Sequence, residues 1–303
     1  MPDDAHRRLV GAAIDGDRRA FETALTALVR DHRFTIAVVF PAVGAITLVA
    51  SALGSVTVAG TTVVVPEVLR YNAVGLFGGT LVMRLPLIAA ILPLVDRRAA
   101  ALIAGLAAYA YGIEFVGLRT GWPYGEFTYL IDLGPTVAGD VPLGLPIFFF
   151  PLVLNAYLLV LLLGGGRTDR TILRLPATIL TVLAIDAVLD PGAVAVGFWA
   201  YAEGGYYGVP LSNYLGWVLS ATVAVAAFDR AFPVARLRER LVACEFALDD
   251  MMSFVVLWGS INVLFGQWIP ATLAVGFGIG LLATDRFDFD VSDSRLVGVV
   301  RRG

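Results

Sequence analysis

Along the chain, charged residues gather at the two ends and in short intervals between long apolar stretches. Those stretches fall at 34–54, 73–95, 99–118, 142–163, 172–190, 212–231, 249–266 and 268–284. Each approaches the ~20 residues a helix needs to cross ~30 Å of hydrocarbon. They are continuous rather than alternating, which favours helices over a membrane barrel. The pattern predicts an all-α polytopic membrane bundle of about eight transmembrane helices, forming one transmembrane domain over 34–285. The last pair is joined by a turn of only a few residues at Gln267–Pro270. Residues 1–33 are charged and mildly amphipathic and predict a cytoplasmic helix leading into the first span. A secretory signal would place its apolar stretch nearer the start and follow it with a small-residue cleavage site. Residues 286–303 form a polar cytoplasmic tail.

Composition sharpens this picture. The chain of 303 residues is 58% apolar and only 16% charged, where a soluble domain carries ~25% charged residues. Cys244 is the single cysteine, so a disulfide scaffold is excluded. His6 and His32 are the only histidines, both in the polar N-terminal segment. Zinc usually takes three or four His or Cys ligands, so the reading includes no metal and no cofactor. All 22 basic residues are Arg. The absence of Lys removes Schiff-base chemistry and the phosphate-loop lysine, and nothing points to nucleic acid.

The arginines also orient the bundle. With eight spans, nineteen of the 22 fall on one side and only Arg70 and Arg119 on the other, while Arg84 lies within the second span. Positive charge stays inside, so both termini are placed in the cytoplasm of a multi-pass cell-membrane protein.

Two outer segments stand apart, Tyr109–Leu143 and Asp186–Trp217. Each begins with a carboxylate at the outer end of a span: Glu114 in one, Asp186 and Asp190 in the other. Each runs through Trp, Tyr and Gly and closes on Val-Pro-Leu (141–143 and 209–211), as a weak internal duplication would. Interfacial anchoring accounts for the depth of such aromatics but not for their clustering with Gly, Pro and acids.

An acid inside a span costs ~2.5–3.5 kcal/mol on insertion scales, so it normally faces protein or water. Glu114 is expected either to pair with Arg84 or Arg119 or to do chemistry. Asp186 and Asp190, four apart, share a helix face. Two like charges there resist double ionisation, and a retained proton is what a general acid needs. Their plainer role is to end the helix before Pro191. Glu126, Asp132, Asp140 and Glu203 read as solvated loop charges. Asn155 and Asn213 are set for interhelical hydrogen bonds, or to order a water. Arg84, in mid-span, requires an acidic partner.

Protonatable acids and π-rich walls in lipid suit the protonation of an apolar alkene. Aromatic faces stabilise a tertiary carbocation by ~0.5–2 kcal/mol each, and carboxylates stabilise it electrostatically. Water capture then completes the hydration of a C=C bond. The runs E-F-V-G-L-R-T-G-W-P-Y-G-E-F-T-Y (114–129), D-V-P-L-G-L-P (140–146), D-A-V-L-D-P (186–191) and Y-Y-G-V-P-L-S-N-Y-L-G-W (206–217) resemble the membrane carotenoid hydratase family. The lysine-free, acidic-ended chain is similar to its haloarchaeal members. The resemblance covers roughly 68–285. It implies a cofactor-independent hydro-lyase that adds water to both terminal C=C bonds of an acyclic C50 carotenoid, turning bisanhydrobacterioruberin into bacterioruberin. Its partners are then the lipophilic carotenoid, the lipid bilayer and other membrane enzymes of carotenoid synthesis.

Individual roles come from the residues themselves. Asp186 or Asp190, or else Glu114, is expected to donate the proton, with a deprotonated neighbour orienting the water. Trp122, Tyr124, Trp199, Tyr206, Tyr207 and Asn213 are expected to line the substrate pocket. Two alternatives compete. Asp-x-x-x-Asp at 186–190 resembles the second acidic motif of intramembrane prenyltransferases, although the first Asn/Asp-rich motif is missing. A non-enzymatic transporter would instead use the acids as a proton relay.

Overall fold

The computed structural model describes residues 9–13, 16–58, 61–66, 72–284 and 286–287. The start of the N-terminal segment, Arg70 and most of the 286–303 tail lie outside the described residues.

The polar N-terminal segment contains helix α1 (Arg18–Asp31), opened by Asp17, whose carboxylate accepts from the Arg19 and Ala20 N–H groups. A π-turn at Thr35–Val39 runs into α2 (Phe40–Leu53). A hairpin of β1 (Ser55–Val58) and β2 (Thr61–Val64) follows. Helix α3 (Ala73–Ile91) begins on Asn72, which accepts from the Gly75 N–H at 2.7 Å. Helix α4 (Arg97–Thr120) begins on Asp96 and stops at Gly121, whose φ of 72° continues the chain in the left-handed region. Next come β3 (Phe127–Tyr129), β4 (Thr136–Val137) and β5 (Val141–Pro142). They lead into α5 (Leu145–Gly164) and α6 (Thr171–Ala195). Strand β6 (Trp199–Tyr201) is followed by α7 (Leu211–Ala231), α8 (Val234–Ala243), α9 (Asp249–Leu264) and α10 (Trp268–Leu282).

Among the described residues, six helices are long and apolar enough to cross a membrane, as a polytopic helical membrane protein requires. The last pair is shorter than expected, at 16 and 15 residues, or roughly 22–24 Å at 1.5 Å per residue. The buried Asp249 and Asp250 occupy the first turn of α9 and shorten its apolar run.

The arginines at one end of the bundle do structural work that hydropathy does not reveal. Arg18 donates to the Leu92 and Val95 carbonyls, both at 2.8 Å, just past α3. Arg240 donates to Ala89 and Ala90 near the end of α3, and Arg238 to Leu161 in the last turn of α5. Terminal carbonyls have no intrahelical partner and carry the negative end of the helix dipole, so a guanidinium satisfies both needs.

At the opposite end, the two aromatic loops join. Strand β3 pairs antiparallel with β6: Phe127 faces Tyr201, Thr128 faces Ala200 and Tyr129 faces Trp199. The ladder extends through Leu130 N–H to the Phe198 carbonyl at 3.0 Å and Ala202 N–H to the Glu126 carbonyl at 2.9 Å. The ribbon therefore ties the α4–α5 connection to the α6–α7 connection.

Helix α6 corrects one expectation. It does not end before Pro191 but continues to Ala195, so Asp186 and Asp190 are interior helical residues. Asn262 of α9 donates to the Val188 carbonyl at 2.9 Å, next to the Ala187 carbonyl that Pro191 leaves without its helical donor. Neighbouring side chains of this kind let a membrane helix run through proline.

Candidate active site

Side chains two apart on a strand share a face, as do cross-strand partners. Phe127, Tyr129, Trp199 and Tyr201 therefore stand on one face of the ribbon. Tyr129 meets Trp199 edge-on at 6.3 Å between ring centres, and Phe127 lies 5.7 Å from Tyr129 and 5.9 Å from Tyr201. These four rings roof a cavity of about 370 Å³. Its walls come from α2, α3, α4, α5, α6, α7 and α9 and are mostly apolar.

Two carboxylates face this chamber. Glu114 lies on the buried stripe of α4 with Ala110 and Gly117, is 9% exposed and accepts from the Tyr129 hydroxyl. Asp190 of α6 is 4% exposed. It accepts from the Tyr201 hydroxyl at 3.0 Å and from Asn213 Nδ2 at 2.6 Å. Each ribbon strand thus supplies one tyrosine to one acid. Asn213 Nδ2 also reaches Asp186 at 3.1 Å, so a single amide bridges both aspartates. Asp186 is fully buried but does not line the chamber; it stands behind Asp190, and its Oδ1 has no partner among the described residues.

Burial holds the Tyr129 phenol well above its ordinary value, and ionisation of Glu114 raises it further. Burial and the charge of Asp190 do the same for Tyr201. Both hydroxyls are therefore neutral donors across the working pH range.

Tyr124 is placed by two glycines. A Cβ on Gly216 of α7 would lie 2.5 Å from the Tyr124 ring and 2.9 Å from the Pro123 carbonyl oxygen. One on Gly117 of α4 would lie 3.2 Å from the same ring. The absent side chains let the 122–125 turn sink between α4 and α7. The Tyr124 hydroxyl then meets Ser220 Oγ at 2.6 Å, and Tyr109 meets the same Oγ at 3.1 Å.

The aromatic wall differs from the one expected. Tyr124, Trp199 and Asn213 line the chamber; Trp122, Tyr206 and Tyr207 do not. Trp122 is 58% exposed at the outside of its turn. Tyr206 and Tyr207 pack edge-to-face on each other at 4.9 Å, and Tyr206 also packs on Tyr214. The places assigned to them are filled by Phe127, Tyr129, Phe198, Tyr201, Trp217 and Trp258. Sequence reading missed Tyr129 and Tyr201 because only strand register aims them inward; alternation along F-T-Y and W-A-Y was the available signal.

Glu114 pairs with neither arginine proposed for it. Arg119 binds Asp140 at 2.9 Å and covers the Phe115 ring. Arg84 pairs with Asp250, whose other oxygen accepts from Asn155 at 2.6 Å. Asp250, 166 positions from Arg84, had no local sequence signature. Among the described residues, no group of three His, Cys, Asp or Glu side chains is placed to hold a metal ion.

No solved structure matches the chain. A family model described as "Carotenoid biosynthesis protein" matches residues 71–281, which include every wall of the chamber except α2. The bisanhydrobacterioruberin hydratase of Haloarcula japonica is 55% identical over 296 residues, covering 98% of each chain. By both comparisons, this chain belongs to the carotenoid biosynthesis protein family.

Proposed function

We propose that the protein is a carotenoid hydratase acting on an acyclic C50 polyene, and that the chamber under the ribbon is where water is added. The observation that carries the reading is the β3–β6 ribbon: it gathers Glu114 and Asp190, from two different helices, beneath four aromatic rings. The 55% identical hydratase favours this reading over prenyl transfer or transport.

The chemistry follows from the placement. Asp190 accepts from two side-chain donors, an arrangement suited to a carboxylate. Glu114 accepts from one and is assigned as proton donor. Its proton adds to the less substituted carbon of a terminal isopropylidene, and the π electrons form the new C–H bond. A tertiary cation is left facing the ring faces and the Asp190 carboxylate. A water oxygen then bonds to the cation and releases a proton to Asp190; transfer of that proton to Glu114 restores the acid. Asp186 positions Asp190 through Asn213.

The chamber opens on the α2–α3 side, where the lining residues Phe40 and Val43 are exposed. A C50 chain is longer than the chamber, so one end is admitted while the rest stays in lipid. The ribbon end is assigned to the exoplasmic face and the arginine-rich end, with both termini, to the cytoplasm of the cell membrane. This follows the arginine distribution along eight crossings.

The test is expression in a host making bisanhydrobacterioruberin, with pigments weighed. Wild type should add two waters through a transient mono-hydrated species. Glu114→Gln and Asp190→Asn should each lose 10²–10⁴-fold, the usual contribution of a general acid or base. Full hydroxylation by both variants would remove the site.

A further inference from the structure

Asn213 does more in this geometry than hold two aspartates together. It stands in the first turn of α7 and lines the chamber beside Asp190. Its Nδ2 donates to Asp186 Oδ2 at 3.1 Å and to Asp190 Oδ2 at 2.6 Å. A side-chain amide has two donor hydrogens on nitrogen and a carbonyl oxygen that only accepts. Two carboxyl oxygens on the nitrogen side therefore fix which way round the amide sits; a flipped amide would set its oxygen against both. Asp186, fully buried and not part of the chamber wall, is half of that lock.

The lock leaves two acceptors unused. No described group donates to Asn213 Oδ1, and it is not sealed in as the Oδ1 atoms of Asn155, Asn262 and Asp186 are. Asp190 shows the same asymmetry. Tyr201 and Asn213 both bond its Oδ2, and its Oδ1 is neither bonded by a described group nor sealed in. Both residues line the chamber, so the open oxygens face it, and they belong to groups joined by one 2.6 Å hydrogen bond. A water molecule has two O–H donors. Given to these two oxygens, they turn its lone pairs away from the protein and toward the occupant of the chamber.

We infer that Asn213 is a catalytic residue of the water-addition step: its Oδ1 and the Asp190 Oδ1 together hold the attacking water. One O–H donates to each. A lone pair of the water oxygen forms the C–O bond to the tertiary cation. The O–H on Asp190 breaks and passes its proton to that carboxylate, and the O–H on Asn213 stays as the product hydroxyl. The inference rests on the chamber being the hydration site and adds the group that keeps the cation from a competing fate. Without a water in line, the cation gives up a proton from an adjacent carbon to Asp190, the C–H electrons return as a C=C bond, and the alkene leaves unhydrated.

That competition is read in D2O. Wild-type protein in detergent with bisanhydrobacterioruberin should yield alcohol, and the polyene left over should carry little deuterium. Asn213→Leu keeps the size of the side chain but not its acceptor. It should raise the ratio of deuterium taken up by unhydrated polyene to alcohol formed about tenfold, the size of one hydrogen bond. The ratio is internal to each sample and does not depend on how much protein folds. Asn213→Ser retains a donor for Asp190 but is too short to place an acceptor beside it, and should shift the ratio the same way if the leucine variant yields no folded protein. Asn213→Asp keeps the shape and an oxygen on the chamber side, and should partition as wild type although both rates fall. Loss of alcohol and deuterium uptake in step by Asn213→Leu and Asn213→Ser, or hydration at the wild-type level, overturns the inference and leaves Asn213 a structural bridge. Glu114→Gln separates the two readings: it should abolish deuterium uptake and alcohol alike, and retention of both overturns the chamber reading and this inference with it.

Discussion

A single Cβ, hydroxyl or amide decides the local geometry at several positions of the chamber. Gly216 is the sharpest case, because an added methyl collides with the Tyr124 ring at 2.5 Å. Gly216→Ala should cost about 1–3 kcal/mol, the range for overpacking, read as a lowered thermal midpoint in detergent. Gly79 has more room: an added Cβ meets the Phe40 ring only at 3.6 Å, so Gly79→Ala should be silent in the same measurement. The two ribbon tyrosines add a pH dependence. Their folded pKa values are raised, by burial first and the neighbouring carboxylate second. A raised group gives stability that is complete below its unfolded value and is lost as pH rises towards the folded one. Thermal stability should thus be insensitive to these phenols at neutral pH and fall above about pH 10, where unfolded tyrosine ionises. Tyr201→Phe should reduce that alkaline loss; an unchanged profile would mean the phenol is solvated.

Among the elements, the β3–β6 ribbon does most to assemble the proposed site in a chain otherwise built of helices. Its strands are three residues long and would not stand alone in water. They hold because each is anchored on a helix through a tyrosine–carboxylate bond and through packing of their rings. Ala202→Pro removes the donor that closes the ladder onto the Glu126 carbonyl. The bundle should survive it, seen as unchanged helical content and a monodisperse elution profile, while hydration falls about tenfold as the register of Tyr201 loosens. Helix α6 shows the reverse relation: Pro191 reads as a stop along the chain, yet the helix runs on to Ala195, packed beside α9, whose Asn262 bonds the Val188 carbonyl.

The whole molecule is polarised. One end carries arginines that cap helix termini, and the other carries the ribbon and the acids. An impermeant maleimide on intact cells should label a cysteine introduced at Gly134, in the ribbon-end loop, and not one introduced at Arg236. Cys244 need not be removed first, since it is buried and its thiol is pushed up to about 11, chiefly by that burial. Labelling of Arg236→Cys from outside would invert the assigned orientation.

The linear chain determined the membrane class, the long spans, the sidedness argument and the choice of Glu114, Asp186 and Asp190, because each follows from local hydropathy or from what an acid costs in lipid. The family was legible too, in runs of contiguous residues. Only the tertiary structure decided that Glu114 and Asp190 face one space while Asp186 stands behind, that Tyr129 and Tyr201 replace Trp122, Tyr206 and Tyr207 in the wall, and that Arg84 belongs to Asp250. Those outcomes depend on strand register and on contacts between residues far apart in sequence, and local composition does not encode which distant partner satisfies a buried charge.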